Sequence, residues 1–181
     1  MLKFVLRGGI ILKILKNKVF LGIISIAILG LVIFSYSEIK AYNVLKDVFV
    51  FSKDNIVSIW RVKKDETSHD YDYKLASNEV DTLSSILINS KLKKATTKDS
   101  PSNDLGSMTI LLDGKMREED GGVSIAFERG ITLKPIDKDS VYVFLEINRP
   151  TNDNSFNMDL VMQKSYIIDS VKLVEFINEN T

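Results

Sequence analysis

Val141-Tyr-Val-Phe-Leu-Glu-Ile147 and Phe156-Asn-Met-Asp-Leu-Val-Met-Gln163 flank the polar run Asn148-Arg-Pro-Thr-Asn-Asp-Asn-Ser155. The first segment is rich in β-branched and aromatic residues. In the second, Phe156, Met158, Leu160 and Met162 recur at every other position and so share one face of an extended chain. The run between them is made of turn-forming residues, and adjacency favours antiparallel pairing of the two strands. This hairpin sets the fold class.

The flanking sequence reads in the same way. Ser107 to Leu112 is a strand leading into Asp113-Gly114, read as a turn pair. Val123 to Glu128 follows Asp120-Gly121-Gly122, and Ile131 to Lys134 is a short strand after Gly130. Ile56-Val-Ser-Ile-Trp-Arg-Val62 is a further strand, with Val57, Ile59 and Arg61 facing one way and Ile56, Ser58, Trp60 and Val62 the other. The polar run Lys63 to Lys74 is a loop or hairpin end, and Tyr166 to Ile168 a last short strand.

Two helices are expected. Asn78 to Ser90 carries Val80, Leu83, Ile86 and Leu87 on one stripe, with Ser77 or Asn78 as cap, Glu79 and Asp81 in the first turn, and Lys91, Lys93 and Lys94 at the negative end. Ala95 to Gly106 is a loop. Asp169 or Ser170 caps a C-terminal helix that buries Val171, Val174, Phe176 and Ile177. The sum is an α+β fold, a mostly antiparallel sheet with one internal and one C-terminal helix, both covering one sheet face.

The N-terminal end differs in kind. Residues 19–37 carry no charge, and as a helix they would reach about 28 Å at ~1.5 Å per residue. That nearly spans a hydrocarbon core of roughly 30 Å, so a transmembrane helix over 19–37 is expected, with Tyr36 at the interface. The chain has 24 basic and 24 acidic residues, yet 1–37 hold five basic residues and no acidic one, which leaves 19 basic against 24 acidic in the other 144 residues. The neutral total is a +5 head on a −5 body. Lysines and arginines are retained on the cytoplasmic side, and Lys13, Lys16 and Lys18 all precede the apolar run. The N-terminus is therefore expected in the cytoplasm and the body outside the cell membrane. Residues 1–18 form the basic cytoplasmic segment, 38–52 a juxtamembrane stalk on which Ile39, Tyr42, Leu45 and Val48 or Phe49 recur at helical spacing, and 53–181 the extracytoplasmic domain; the alternation of Val48, Phe49, Val50 and Phe51 equally suits the start of a sheet.

Other readings of this end stay open. Ser35-Tyr36-Ser37 offers a signal peptidase small residues, although the apolar run exceeds the 7–15 residues usual for a signal sequence. Residues 1–18 also suit a basic amphipathic helix on anionic lipid. In type IV pilins a glycine is followed by an apolar helix with a Glu at its fifth position; here no Glu follows Gly9, and Lys13, Lys16 and Lys18 interrupt the run.

The run Lys91-Leu-Lys-Lys-Ala-Thr-Thr-Lys-Asp-Ser-Pro-Ser-Asn103 after a helix, the strand Ser107 to Leu112, and the closing Ser165-Tyr-Ile-Ile-Asp-Ser-Val-Lys-Leu-Val-Glu-Phe-Ile-Asn178 together resemble small secreted or membrane-anchored bacterial domains of unknown function. The resemblance implies a bacterial extracytoplasmic module and carries no activity.

Chemistry is sparse. Zero cysteines exclude thiol catalysis, disulfides and thiolate zinc sites, and a single histidine leaves little for imidazole chemistry. His69, Asp70 and Asp72 bring an imidazole and two carboxylates close together, a weak candidate metal site beside the plainer reading of a solvated loop. Arg117-Glu-Glu-Asp-Gly-Gly122 reads as a charged hairpin tip. Ser37-Glu-Ile-Lys40 and Ser90-Lys-Leu-Lys93 match S-x-x-K without the accompanying signatures. No phosphate loop or dinucleotide fingerprint occurs, so no cofactor is expected. A −5 body repels nucleic acid. Trp60, Tyr71, Tyr73, Tyr142 and Phe144 are aromatic candidates for a recognition surface.

The expectation is a single-pass, membrane-anchored extracytoplasmic module that holds lipid through its N-terminal helix and binds an envelope protein or wall polymer. The alternatives are an anchored envelope hydrolase with a carboxylate pair and a pilin-like assembly subunit.

Overall fold

The computed structural model describes residues 22–33, 46–63, 69–71, 73–96, 99, 101, 106–119, 122–151 and 156–181. Two compact units result, Met1–Leu45 and Lys46–Thr181. In the first, residues 22–33 are helical, and their apolar side chains apart from Ile24 are exposed, Ile26 by 73% and Leu31 by 67%. Among the described residues no helix is long and apolar enough to cross a membrane; the rest of 19–37 lies outside them.

The second unit is α+β. Its strands are β1 (Ile56–Val62), β2 (His69–Asp70), β3 (Leu92–Lys94), β4 (Ser107–Glu119), β5 (Gly122–Pro135), β6 (Ser140–Pro150) and β7 (Met158–Asp169). They form one sheet in the order β2-β1-β4-β5-β6-β7-β3, with every neighbouring pair antiparallel. The expected pairing of the two deciding strands is present, with Ile147 opposite Met162 and Val143 opposite Tyr166. The helices are α1 (Ser77–Asn89) and α2 (Val171–Asn180).

Alternation within each strand builds the core. Ile59, Ile110, Ile131 and Leu145 stand side by side across four strands, and Met108, Leu133 and Val143 form the next row. All seven are at most 2% exposed, each worth about 1.5–3 kcal/mol on full burial. The cover comes from Val80, Leu83 and Leu87 of α1, from Leu173, Val174, Phe176 and Ile177 of α2, and from Val48, Phe49 and Phe51. Residues 46–48 form a helical turn that belongs to the folded unit, and the buried Ser84 hydroxyl donates to the Phe49 carbonyl at 2.7 Å.

Several local expectations are corrected. Asp113-Gly114 is not a turn: the two residues stand inside β4, with Asp113 at φ 52° and Gly114 so close to β5 that a Cβ would lie 2.0 Å from the Ala126 carbonyl oxygen. The tolerance of positive φ and of close approach that makes Asp-Gly a turn signal serves here to kink a long strand. The β4–β5 register runs on to Glu119 opposite Gly122. The two short strands expected on either side of Gly130 are one strand, β5, and Tyr166 to Ile168 is the end of β7. Neither Ser77 nor Asn78 caps α1; the Glu79 carboxylate accepts the Ala76 amide at 2.6 Å. Leu92 to Lys94 pair with the end of β7 as an edge strand. Ser170 caps α2, accepting the Leu173 amide at 3.2 Å, while Val171 is 48% exposed rather than buried.

Both sheet edges are guarded. On one side Tyr73 donates its amide to Ile59 of β1. On the other, Val161 is the extra residue where the register steps from Ile147 opposite Met162 to Asn148 opposite Leu160. A bulge there spoils the regular spacing of the outer amides of β7 and works against pairing with another chain.

The cover is tied down by Arg129. Its guanidinium pairs through Nε with Asp113 and donates through Nη1 to the carbonyls of Asp47, Val48 and Val50, each at 3.1 Å. Asp113 also accepts the Asn55 side-chain amide at 2.9 Å. Replacing Arg129 by Ala removes the charged donor from these carbonyls and leaves Asp113 with Asn55 alone, and hydrogen bonds to charged groups are worth about 1.5–3 kcal/mol. With both side chains partly exposed, a loss of about 2–3 kcal/mol in urea unfolding is expected; a change below about 0.5 kcal/mol, typical of a bare surface site, would contradict it.

Asp137 supplies a pH signature. The Ser140 hydroxyl, the Asp139 amide and the Ser140 amide all donate to it and hold its carboxyl below the usual carboxylate range. The bonded form is the charged one, so its stabilising effect is present above the ordinary value of 3.8 and is lost as pH falls through the lowered value. Asp137→Ala is therefore expected to lower the melting temperature at about pH 6 and to have less effect on acidification; a deficit that stays constant down to about pH 2 would be the contrary result.

Candidate functional site

The helices and the 48–51 segment cover the face that carries Ile59, Ile110 and Ile131, and the opposite face of the sheet is only half-buried. Along it the register aligns Trp60, Thr109, Thr132, Phe144 and Ser165 in one row, and Ser58, Leu111, Gly130, Glu146 and Gln163 in the next. In the first row Trp60 and Phe144 flank the smaller Thr109 and Thr132, and a groove of about 330 Å³ lies between them. Thr109, Leu111, Gly130 and Thr132 form its floor, and Trp60, Val62, Phe127 and Phe144 its walls.

Gly130 makes room for the Phe127 wall. A Cβ there would stand 2.9 Å from the Phe127 ring, which lies over the glycine. Thr109 and Thr132 share one hydrogen bond between hydroxyls at 3.0 Å, leaving one hydroxyl proton for another acceptor. Lys134 and Glu146 also line the groove. The Glu146 carboxylate accepts the side-chain amides of Asn148 at 3.0 Å and Gln163 at 3.2 Å.

Trp60 divides this groove from a second hollow of about 690 Å³ lined by Val57, Tyr71, Met116, Val123 and Ile125. The kink at Asp113 makes that hollow possible by carrying Met116 and Glu118 beyond it onto the open side. Met116 and Val123 are 56% and 55% exposed. The Trp60 indole meets the Tyr71 ring edge to face, centroids 5.5 Å apart, and its buried Nε1 has no hydrogen-bond partner among the described residues. A groove with aromatic walls and few placed polar groups is a binding geometry.

Of the weak metal candidates, only Asp70 has a described side chain. Asp70 accepts from Arg61 Nε at 2.9 Å, and Arg61 also donates to the Asn180 carbonyl and stacks on Tyr73 at 3.9 Å. His69 sits in β2 opposite Val62, and Asp72 lies outside the described residues. Among the described residues no three His, Asp or Glu side chains converge. Lys13, Lys16, Lys18 and Tyr36 lie outside them, as do Ser37 and Lys40. Ser90 donates to the Ile86 carbonyl while Lys93 pairs with Asp169, so S-x-x-K is not a working pair there. Arg117 stacks on Phe156 at 4.6 Å.

Of the aromatic candidates, Trp60, Tyr71 and Phe144 do line the open face. Tyr73 is committed to the Asn180 side chain at 2.8 Å, and Tyr142 donates to Ser165 at 2.6 Å. Sequence reading missed Thr109, Thr132, Gly130 and Phe127. The signal for the threonines was their alternation with Met108, Ile110, Ile131 and Leu133.

Comparison with family models, curated proteins and solved structures gives no match.

The hydroxyl pair on the floor is testable. A double-mutant cycle of Thr109→Val and Thr132→Val is expected to give a coupling of about 0.2–1 kcal/mol, the range for cross-strand pairs. Strict additivity would mean that the pair does not form.

Proposed function

We propose that this chain is a single-pass, membrane-anchored extracytoplasmic binding module that recognises an envelope partner on the open face of its sheet. The observation that carries the reading is the asymmetry of the sheet: two helices and the 48–51 segment cover one face, while the other leaves Tyr71, Met116 and Val123 exposed and Trp60 and Phe144 half-buried. Exposed apolar surface of this kind marks interaction sites. Its chemistry favours binding over catalysis, since the carboxylate in the groove, Glu146, is held by two neutral amides.

Anchoring is supported by the exposed, charge-free helix at 22–33 within the uncharged run 19–37. Water is a poor solvent for such a helix, and lipid a good one. The basic residues preceding it favour a cytoplasmic N-terminus.

Two measurements test the reading. Protease added to intact spheroplasts should remove residues 46–181 and spare the N-terminal segment; protection of the C-terminal unit would overturn the orientation. Crosslinking from a photoreactive residue at Val123 should yield a defined adduct that Trp60→Ala combined with Met116→Asp abolishes, with unfolding midpoints little changed. Adducts that persist in the double variant would move the partner site elsewhere.

A further inference from the structure

The groove between Trp60 and Phe144 carries opposite charges at its two ends. Lys134 stands at one end of the β5 floor. Glu146 stands at the other, on β6 opposite Gly130. Lys134 lies four positions along β5 from Gly130, a distance of about 13 Å along the strand. Neither Lys134 nor Glu146 has an ion-pair partner among the described residues. Between them lie aromatic walls and the spare hydroxyl proton of the Thr109–Thr132 pair.

We infer that this groove binds a short zwitterionic peptide of about three or four residues, its amino end at Glu146 and its carboxylate at Lys134. The inference rests on the open face being the binding surface and names a ligand class for it. An extended peptide of that length spans about 13 Å at ~3.3 Å per residue, and a volume of about 330 Å³ lies at the small end for ligand sites. An apolar middle suits Trp60, Phe127 and Phe144. The threonine hydroxyl suits a peptide carbonyl, which a simple amino fatty acid lacks. The charges at the two ends fix the direction of the chain, because the reversed peptide would bring like charges together at both.

Trp60 is the single tryptophan of the chain, so its fluorescence reports the groove directly. The full-length protein in detergent micelles is titrated with Ala-Val-Ala-Val in four forms: free, N-acetylated, C-amidated, and blocked at both ends. A saturable change is expected with the free peptide. Each block should weaken binding by about two- to fivefold, the range of an exposed ion pair. Glu146→Gln should abolish the effect of acetylation alone and Lys134→Met the effect of amidation alone, a pattern that a folding defect would not produce. Equal response to free and doubly blocked peptide, or none up to millimolar concentration, overturns the inference. If the peptides fail while the Val123 crosslink still depends on Trp60, this ligand assignment falls and the open-face reading stands; if both fail, both fall.

Discussion

Arg129 is the constraint on which the rest of the folded unit depends. A guanidinium only 19% exposed needs partners on every side, and it finds them in Asp113 and three backbone carbonyls of residues 47–50. Those contacts fix two things together. They seat Phe49 and Phe51 over the core, and they hold Asp113 in the conformation that kinks β4. The cover on one face and the open hollow on the other therefore share a cause: the kink that gives Arg129 its counter-charge also turns Met116 toward Trp60.

The asymmetry of the sheet follows from composition as well as from geometry. The covered face is filled by Ile59, Met108, Ile110, Ile131, Leu133, Val143 and Leu145. The open face replaces them, in the same strands, by Trp60, Thr109, Thr132, Phe144 and Lys134. Threonines and half-buried aromatics are compatible with water on one side and packing on the other, so the open face stays soluble without a helical cover. Gly130 then makes room for the Phe127 ring that walls the groove, since any larger residue there would meet it.

Much of this was legible in the sequence, and the losses have physical reasons. Alternation identified β1, β6 and most of β7, and the 3.6-residue stripe identified both helices, because burial of one face imposes those periods directly. The β4–β5 hairpin was misread at Asp113-Gly114 because the residues that permit a turn also permit a kinked strand; only pairing with β5 distinguishes them. Val48 to Phe51 alternates like a strand yet packs as an irregular cover, an outcome decided by Arg129 about eighty residues away. The groove was half legible. Trp60, Tyr71 and Phe144 stood out as aromatics, whereas a floor made of Thr109, Gly130 and Thr132 exists only after four strands are set side by side. Asp70 is taken up by Arg61, a partner on another strand that spacing along the chain does not reveal.

One face of the sheet is sealed and the other open. The chain has no cysteine, so single cysteines can be placed at Thr132 on the groove floor and at its neighbour Leu133 in the core, and their labelling by a thiol reagent followed under native conditions. The Thr132→Cys protein should label at least about tenfold faster than the Leu133→Cys protein, whose thiol becomes reachable only when the unit opens, with the two rates converging in urea. Equal native rates at the two positions would contradict the account.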